Sequence, residues 1–344
     1  MEQVQALSYH EIIDLKTRRL RVLPHRILLT RQIHPDAMDA LARLGSVRLW
    51  PEPRPIPPNV LLAWIREADA CLSMLTDRID GKVLEAGAAN LRIVSNMAVG
   101  FDNIDVSSAS QKNILVTNTP DVLTEATAEL TWALMLTAAR RVISARESLL
   151  RGEWGDWAPD GFLGTELWGK TLGIVGWGRI GEAVARRASA FGMRVIVLEN
   201  KSRGSKTDTL PLPEFLAQAD VISLHVPLTP ATRKMVDASW FQRMKPSAFV
   251  INTARGPVID SAALLDALNA GHLAGAALDV FEQEPLPGDD PLATHPRVLA
   301  TPHIGSATAE TRRAMALRAV ENIAAALSGR RPPDLVEPRG GGTA

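Results

Sequence analysis

The chain lacks the features that would place it in several large classes of protein. Its single cysteine, Cys71, lies in the apolar stretch ADACLSML, which excludes an intramolecular disulfide and a cysteine-based zinc site. It has no charge surplus: 38 lysines and arginines face 38 aspartates and glutamates. No global field therefore recruits nucleic acid or an anionic membrane, and attraction for an anionic ligand must be local. No window reaches the ~18 uninterrupted apolar residues of a membrane span, and the N-terminal MEQVQALSYHEIIDLKTRRLRVLPHR has no signal-type apolar block. The seven histidines show no paired metal-ligand spacing. These absences predict a cytoplasmic protein with small-molecule partners, without nucleic acid, membrane or metal.

What is present is an ordinary globular composition, 46% hydrophobic over 344 residues, a length that splits into two cores rather than one. Residues 1–24 are polar, weakly helical and without a strand partner, so they read as an extension. From His25 apolar runs alternate with helical patterns: RILLT (26–30), a helix near 35–44, VRLW (47–50), a helix near 59–68, ACLSML (70–75), LRIVSNM (91–97) and ILVTN (114–118). The stretch 119–152 has no Pro or Gly between Pro120 and Gly152 and predicts one long helix. A second series follows: KTLGIVG (170–176), RVIVLE (194–199), DVISLHV (220–226), AFVINTA (248–254) and GAALDVF (275–281). Such near-continuous apolar runs suit parallel strands buried on both faces, so the fold class is α/β with two doubly wound parallel-sheet domains. A helix over 307–329 precedes a Pro- and Gly-rich tail, and no internal repeat stands out beyond the βα rhythm.

Gly176-Trp177-Gly178-Arg179-Ile180-Gly181 is a G-x-G-x-x-G between an apolar strand and the helical EAVARRASAFG. There the glycines permit a tight turn, and free N–H groups and the dipole at the helix start can face a pyrophosphate. A glycine-rich turn without a ligand is the other reading. Glu199 ends the next strand, 18 residues past Gly181, where a carboxylate accepts from an adenosine ribose. Together these indicate a dinucleotide. Glu199 favours NAD, because a 2′-phosphate would meet a like charge, whereas Lys201 and Arg203 would favour NADP.

The ordered motifs GWGRIG, LHVPLT (224–229), INTARG (251–256), ALDVFEQEP (277–285) and TPHIGS (301–306) resemble the D-2-hydroxyacid dehydrogenase family over about residues 26–330. VGFDNIDV (99–106), VTNTPDVLTEATAEL (116–130), GEW (152–154) and FLG (162–164) are most similar to its glyoxylate and hydroxypyruvate reductase branch. The resemblance implies a Rossmann-type cofactor domain, 122–303, inserted into a flavodoxin-like substrate domain made of 25–121 and 304–332, with 333–344 as a tail. It implies reduction of a small 2-oxo acid to the D-2-hydroxy acid in a homodimer.

Three family positions carry over with a chemical reason of their own. Arg255 would bind the substrate carboxylate with its planar fork and polarise the keto oxygen. His303 would be the proton donor, and Glu284 would hold the other imidazole nitrogen, with Glu282 on the same acidic loop as the competing candidate. Val99 and Gly100 resemble the backbone cradle for the substrate carboxylate, and Leu75 lies in the loop that closes over substrate in the family, an ordinary core leucine being the other reading. Asp279 resembles the residue that binds the nicotinamide carboxamide. Thr127, Val226, Pro227, Thr253 and Gly305 resemble cofactor-lining positions. Trp154 and Trp157 either cap a neighbouring subunit's pocket or anchor packing. A dinucleotide-sensing scaffold without turnover is the reading from another class. Phosphonate and formate dehydrogenases of the same fold place lysine where Val99 stands and glutamine where Glu284 stands, which argues against those substrates.

Overall fold

The apolar runs become parallel strands, and the order of those strands decides which loops meet. The computed structural model of the chain describes residues 12–13, 20–21, 25–199 and 208–337. The chain divides into two compact units, one from Thr124 to Ala307 and the other from the residues up to Leu123 together with those from Thr308 onward.

In the unit built from both ends, Ile12–Ile13 (β1) and Leu20–Arg21 (β2) pair antiparallel, so the extension does contain strand pairing that its polar sequence does not announce. Arg26–Leu29 (β3), Ser46–Leu49 (β4), Ala70–Ser73 (β5), Ile93–Asn96 (β6) and Leu115–Thr117 (β7) form a parallel sheet in the order β4-β3-β5-β6-β7, the flavodoxin-like arrangement. The long C-terminal helix, Ala309–Leu327, packs on this sheet, and buried Ser95 donates to the Ala319 carbonyl. Cys71 is wholly buried in the centre of this core, and desolvation pushes its thiol far above the ordinary range.

The other unit carries Thr171–Val175 (β8), Arg194–Leu198 (β9), Thr209–Leu210 (β10), Val221–Leu224 (β11), Phe249–Asn252 (β12), Gly275–Leu278 (β13) and Val298–Ala300 (β14). All are parallel, in the order β10-β9-β8-β11-β12-β13-β14, a Rossmann sheet with the reversal of strand order at β8. Short β10 and β14 are additions to the strands expected from sequence; with two and three residues they give almost no periodic signal. The sheet is buried on both faces, against Phe215, Trp240 and Leu268 on one side and Trp132, Met135 and Val184 on the other.

The long helix expected over 119–152 is two helices, Thr124–Ala139 and Val142–Leu150. The break falls at Arg141, whose φ of 52° is left-handed. Its cause is tertiary. The returning chain takes the Ala139 carbonyl with the Thr165 N–H at 2.7 Å, and Gly164 lies so close that a Cβ there would sit 2.5 Å from the same oxygen. Nothing within 119–152 encodes that partner.

Candidate active site

Register places the motifs side by side. Val175, Leu224, Asn252, Leu278 and Ala300 pair in one row across β8, β11, β12, β13 and β14. The segments that leave these strands therefore emerge along one edge of the sheet, its carboxyl end, and they are the glycine loop, HVPLT, TARG, DVFEQEP and TPHIGS.

The glycine loop has the geometry of an anion site. Gly176 takes φ +99°, and a Cβ on it would lie 2.6 Å from the His225 carbonyl oxygen. A Cβ on Gly181 would lie 2.2 Å from the Gly176 carbonyl oxygen, so only glycine lets the helix Arg179–Ala188 start this close to the turn. Gly178 caps that helix with no side-chain bond to its N–H groups, and nothing lies within 4 Å of its would-be Cβ. The open space and the helix start without a side-chain cap fit a pyrophosphate. Arg179 is exposed at the first helical position, whereas Ile180 turns inward against the core. Glu199 is exposed directly after β9, its backbone held by the Leu210 carbonyl at 2.9 Å. Lys201 and Arg203 lie outside the described residues.

Around this loop Val226 packs against Gly176, with Pro227 exposed beside it. Burial pushes His225 down to about 3, so this imidazole stays neutral and brings no cation to the loop; its Nε2 lies 2.8 Å from Ser223 Oγ. Thr131 Oγ1 bridges the Thr127 carbonyl at 2.8 Å and Thr253 Oγ1 at 2.9 Å, which links three threonines, and Thr127 also lies against Gly305.

Arg255 stands three residues past β12, at the start of a single 3-10 turn, Gly256–Val258. Buried Asn252 shapes this turn, donating to the Arg255 carbonyl at 2.9 Å and accepting from the Ala254 N–H at 3.0 Å. Arg255 Nη1 donates to the Ala254 carbonyl at 2.8 Å. A Cβ on Gly256 would sit 1.8 Å from the carbonyl carbon of Phe281, so this glycine brings the arginine turn against the acidic loop.

In that loop the two glutamates part company. Glu284 Oε1 accepts from the Phe281 N–H at 3.0 Å and its Oε2 lies 2.8 Å from His303 Nδ1. Glu282 turns to Lys234 Nζ at 3.6 Å and to the Ser261 N–H at 3.4 Å. Burial pushes Glu284 upward, yet the hydrogen bond and charge of His303, the Phe281 N–H and the charge of Arg255 together hold it below the usual carboxylate range. Ionised, it can only accept, so Nδ1 of His303 carries a proton and Nε2 is the nitrogen left for exchange with another molecule. The two side chains are 26% and 30% exposed, within reach of solvent and solute.

His303 has φ +54°, an uncommon conformation for a residue with a side chain. Asp279 holds it there. Its carboxylate accepts from Thr301 Oγ1 at 2.7 Å and from the N–H groups of Ile304 and Gly305, both at 2.8 Å. Burial raises the Asp279 pKa despite these donors and the charge of His303. Nothing in the sequence beyond the family resemblance marks Asp279, and its bracing role, like the roles of Asn252, Gly256 and Thr301, comes from hydrogen bonds and close approaches made only in the fold. Only their place inside INTARG and TPHIGS could have flagged them.

In the other unit, three successive carbonyls, of Ala98, Val99 and Gly100, accept from Thr119 N at 2.8 Å, Asn118 Nδ2 at 2.7 Å and Asn96 Nδ2 at 2.9 Å. Among the described residues no acceptor takes the N–H of Val99 or of Gly100. Leu75 is half-buried in the turn Met74–Asp77 rather than part of the core.

Comparison with known proteins decides the family. The family model described as D-isomer specific 2-hydroxyacid dehydrogenase, NAD binding domain, matches residues 132–305. A glyoxylate reductase of Aeropyrum pernix is 47% identical over 321 residues, covering 90% of this chain and 95% of that protein. The chain belongs to the D-isomer specific 2-hydroxyacid dehydrogenase family. As a member it is an oxidoreductase acting on a CH–OH group, and the Rossmann unit is its NAD-binding domain. A crystal structure from Thermus thermophilus superposes on this dehydrogenase with a TM-score of 0.85 at 44% identity, covering 91% of this chain and all of that one. An NADPH-dependent glyoxylate/hydroxypyruvate reductase of Sinorhizobium meliloti, crystallised with NADP and malonate, gives 0.79 at 32% identity, covering 91% and 96%.

Proposed function

We propose that this dehydrogenase reduces glyoxylate or hydroxypyruvate to the D-2-hydroxy acid, with His303 as general acid, Glu284 as its orienting partner and Arg255 as the substrate clamp. The observation that carries the reading is the 2.8 Å contact of His303 Nδ1 with a Glu284 carboxylate kept ionised, on the same sheet edge as the glycine loop. A nicotinamide held at this sheet edge would supply the hydride for the carbonyl carbon. His303 Nε2 delivers a proton to the carbonyl oxygen, and Glu284 stabilises the imidazolium until that transfer. In the oxidative direction neutral His303 takes the hydroxyl proton. Arg255 pairs with the substrate carboxylate and polarises the keto oxygen. Val99 and Gly100, whose N–H groups meet no acceptor among the described residues, are assigned to recognition of a carboxylate, and Leu75 to the exclusion of larger substituents.

Gly176, Gly178, Arg179, Ile180 and Gly181 are assigned to the dinucleotide phosphates and their turn, Glu199 to the adenosine ribose, and Thr127, Val226, Pro227, Thr253, Asp279 and Gly305 to the nicotinamide half. NAD is the favoured cofactor because Glu199 is fixed by β9 and the Leu210 carbonyl where a 2′-phosphate would meet its charge. A cytoplasmic setting suits a chain whose one cysteine is buried. A homodimer is supported by a surface feature: of the ten large hydrophobic side chains exposed among the described residues, nine lie between Val142 and Trp168, with Trp157 at 79%.

The deciding experiment is glyoxylate-dependent oxidation of NADH and NADPH by the wild-type chain and by His303→Ala. Turnover that collapses in the variant, with dinucleotide binding retained, supports the reading. Binding without turnover in the wild type would favour the sensing scaffold instead.

A further inference from the structure

The carboxylate cradle is held from behind by side chains to which the proposed chemistry gives no part. Asn96, fully buried at the end of β6, and Asn103 face each other as a reciprocal amide pair. Asn96 Nδ2 donates to Asn103 Oδ1 at 3.1 Å, and Asn103 Nδ2 donates to Asn96 Oδ1 at 3.3 Å. Each amide nitrogen has a second hydrogen, and the two go to different loops. That of Asn96 goes to the Gly100 carbonyl at 2.9 Å; that of Asn103 goes to the Asp77 carbonyl at 2.9 Å, with the Met74 carbonyl at 3.2 Å. Backbone carbonyls can only accept, so both NH2 groups must face this way, and Ser73 Oγ closes the set by donating to Asn96 Oδ1 at 3.2 Å.

The consequence for the backbone is specific. In a trans peptide the C=O and the following N–H point in opposite directions. Asn118 pins the peptide between Val99 and Gly100, and Asn96 pins the one after Gly100. Glycine, the residue with the widest φ/ψ freedom, is thereby fixed on both sides, with its N–H turned away from Asn118. At the other end of the pair, Asn103 grips the turn that carries Leu75. That turn is closed independently by the Asp77 N–H to the Met74 carbonyl at 3.0 Å, by the Met74 N–H to Asp77 Oδ2 at 2.8 Å and by the Thr30 hydroxyl on the same carboxylate.

We infer that the Asn96–Asn103 amide pair is a positioning device for substrate recognition: by locking the Gly100 peptide to the Leu75 turn it sets both the affinity for the substrate carboxylate and the discrimination against larger 2-oxo acids. Neither amide touches substrate. The inference rests on the assignment of Val99, Gly100 and Leu75 under the proposed function.

The test is steady-state kinetics on the full chain, comparing wild type with Asn103→Leu, which keeps the branched outline and removes every amide bond, and with the smaller Asn103→Ser. Thr117→Val serves as a stability control, since it removes a buried hydroxyl pair with Ser95 on the same sheet without reaching either loop. In at least one folded Asn103 variant the KM for glyoxylate should rise about tenfold or more, the scale set by freeing buried backbone acceptors, while the KM for NADH stays within about twofold. Preference for glyoxylate over a branched 2-oxo acid should shrink in the same variant. Thr117→Val should lose melting temperature without either kinetic change. An unaltered glyoxylate KM in both Asn103 variants, or a parallel rise of both KM values, overturns the inference while the proposed function stands. Absence of 2-oxo acid turnover in the wild type overturns both.

Discussion

Asp279 and His303 are coupled through backbone rather than by a direct bond: the carboxylate holds Thr301 on one side of the histidine and Ile304 and Gly305 on the other. The left-handed φ of His303 is thus maintained by a buried carboxylate at the end of the preceding strand, 24 residues earlier. In Asp279→Asn one acceptor becomes a donor facing an N–H, and the turn can relax. The expected result is a fall in kcat of about ten- to a hundredfold, with a stability loss of roughly 1.5–3 kcal/mol, the range for hydrogen bonds to a charged group. Stopped-flow turnover together with thermal melts checks it; an unchanged kcat would show that the turn holds its shape unaided.

His303→Ala should lower kcat by ~10² to 10⁴, the usual contribution of a positioned acid, with dinucleotide affinity nearly intact. Fluorescence titration with NADH, run beside turnover, separates the two quantities.

Arg255→Lys keeps the charge and discards the fork. Because the arginine is set by Asn252 and by the close pass of Gly256 over Phe281, a lysine cannot recover bidentate geometry by moving its backbone. The kcat/KM for glyoxylate should fall by at least about tenfold, and a fall of less than twofold would remove Arg255 from the clamp role.

Glu284 gives a stability signature whose sign is fixed by its depressed pKa. A carboxylate with a folded pKa below its unfolded value stabilises the fold fully above the unfolded value, about 4.3, and loses that contribution as pH falls through the folded one. Wild type should therefore lose more stability than Glu284→Gln on acidification below about pH 4.5. The difference is modest because the side chain is 30% exposed. Melting temperatures from pH 7 to pH 3 decide it, and parallel curves would contradict the pairing with His303.

Glu199→Ser should move cofactor preference toward NADPH. A carboxylate ~4 Å from a 2′-phosphate at an effective dielectric near 20 opposes it by up to ~4 kcal/mol before screening. The ratio of kcat/KM for the two dinucleotides, in variant and wild type, is the measurement; an unmoved ratio would place Glu199 away from the ribose.

Much of this architecture was legible because parallel strands buried on both faces announce themselves as apolar runs, and the motif order named the family. Less visible were features made by partners remote in sequence. Nothing in residues 119–152 says that Gly164 and Thr165 will return to break the helix at Arg141. EQEP does not say which glutamate faces the histidine; Lys234 and the Ser261 N–H draw Glu282 aside. Nothing in SNMAVGFDN announces that its first and last asparagines face each other; the reciprocal amide pair is made by the chain turning back between them. β10 and β14 are too short for a period.

Cys71 has a practical bearing on experiment. With its thiol enclosed and its acidity suppressed, Cys71 should stay unlabelled by maleimides and iodoacetamides while the chain is folded, which a mass measurement after labelling checks. A cysteine introduced at an exposed position would be the one reactive handle on the molecule. A fluorophore or spin label could then be installed at a chosen position without first deleting anything from the core.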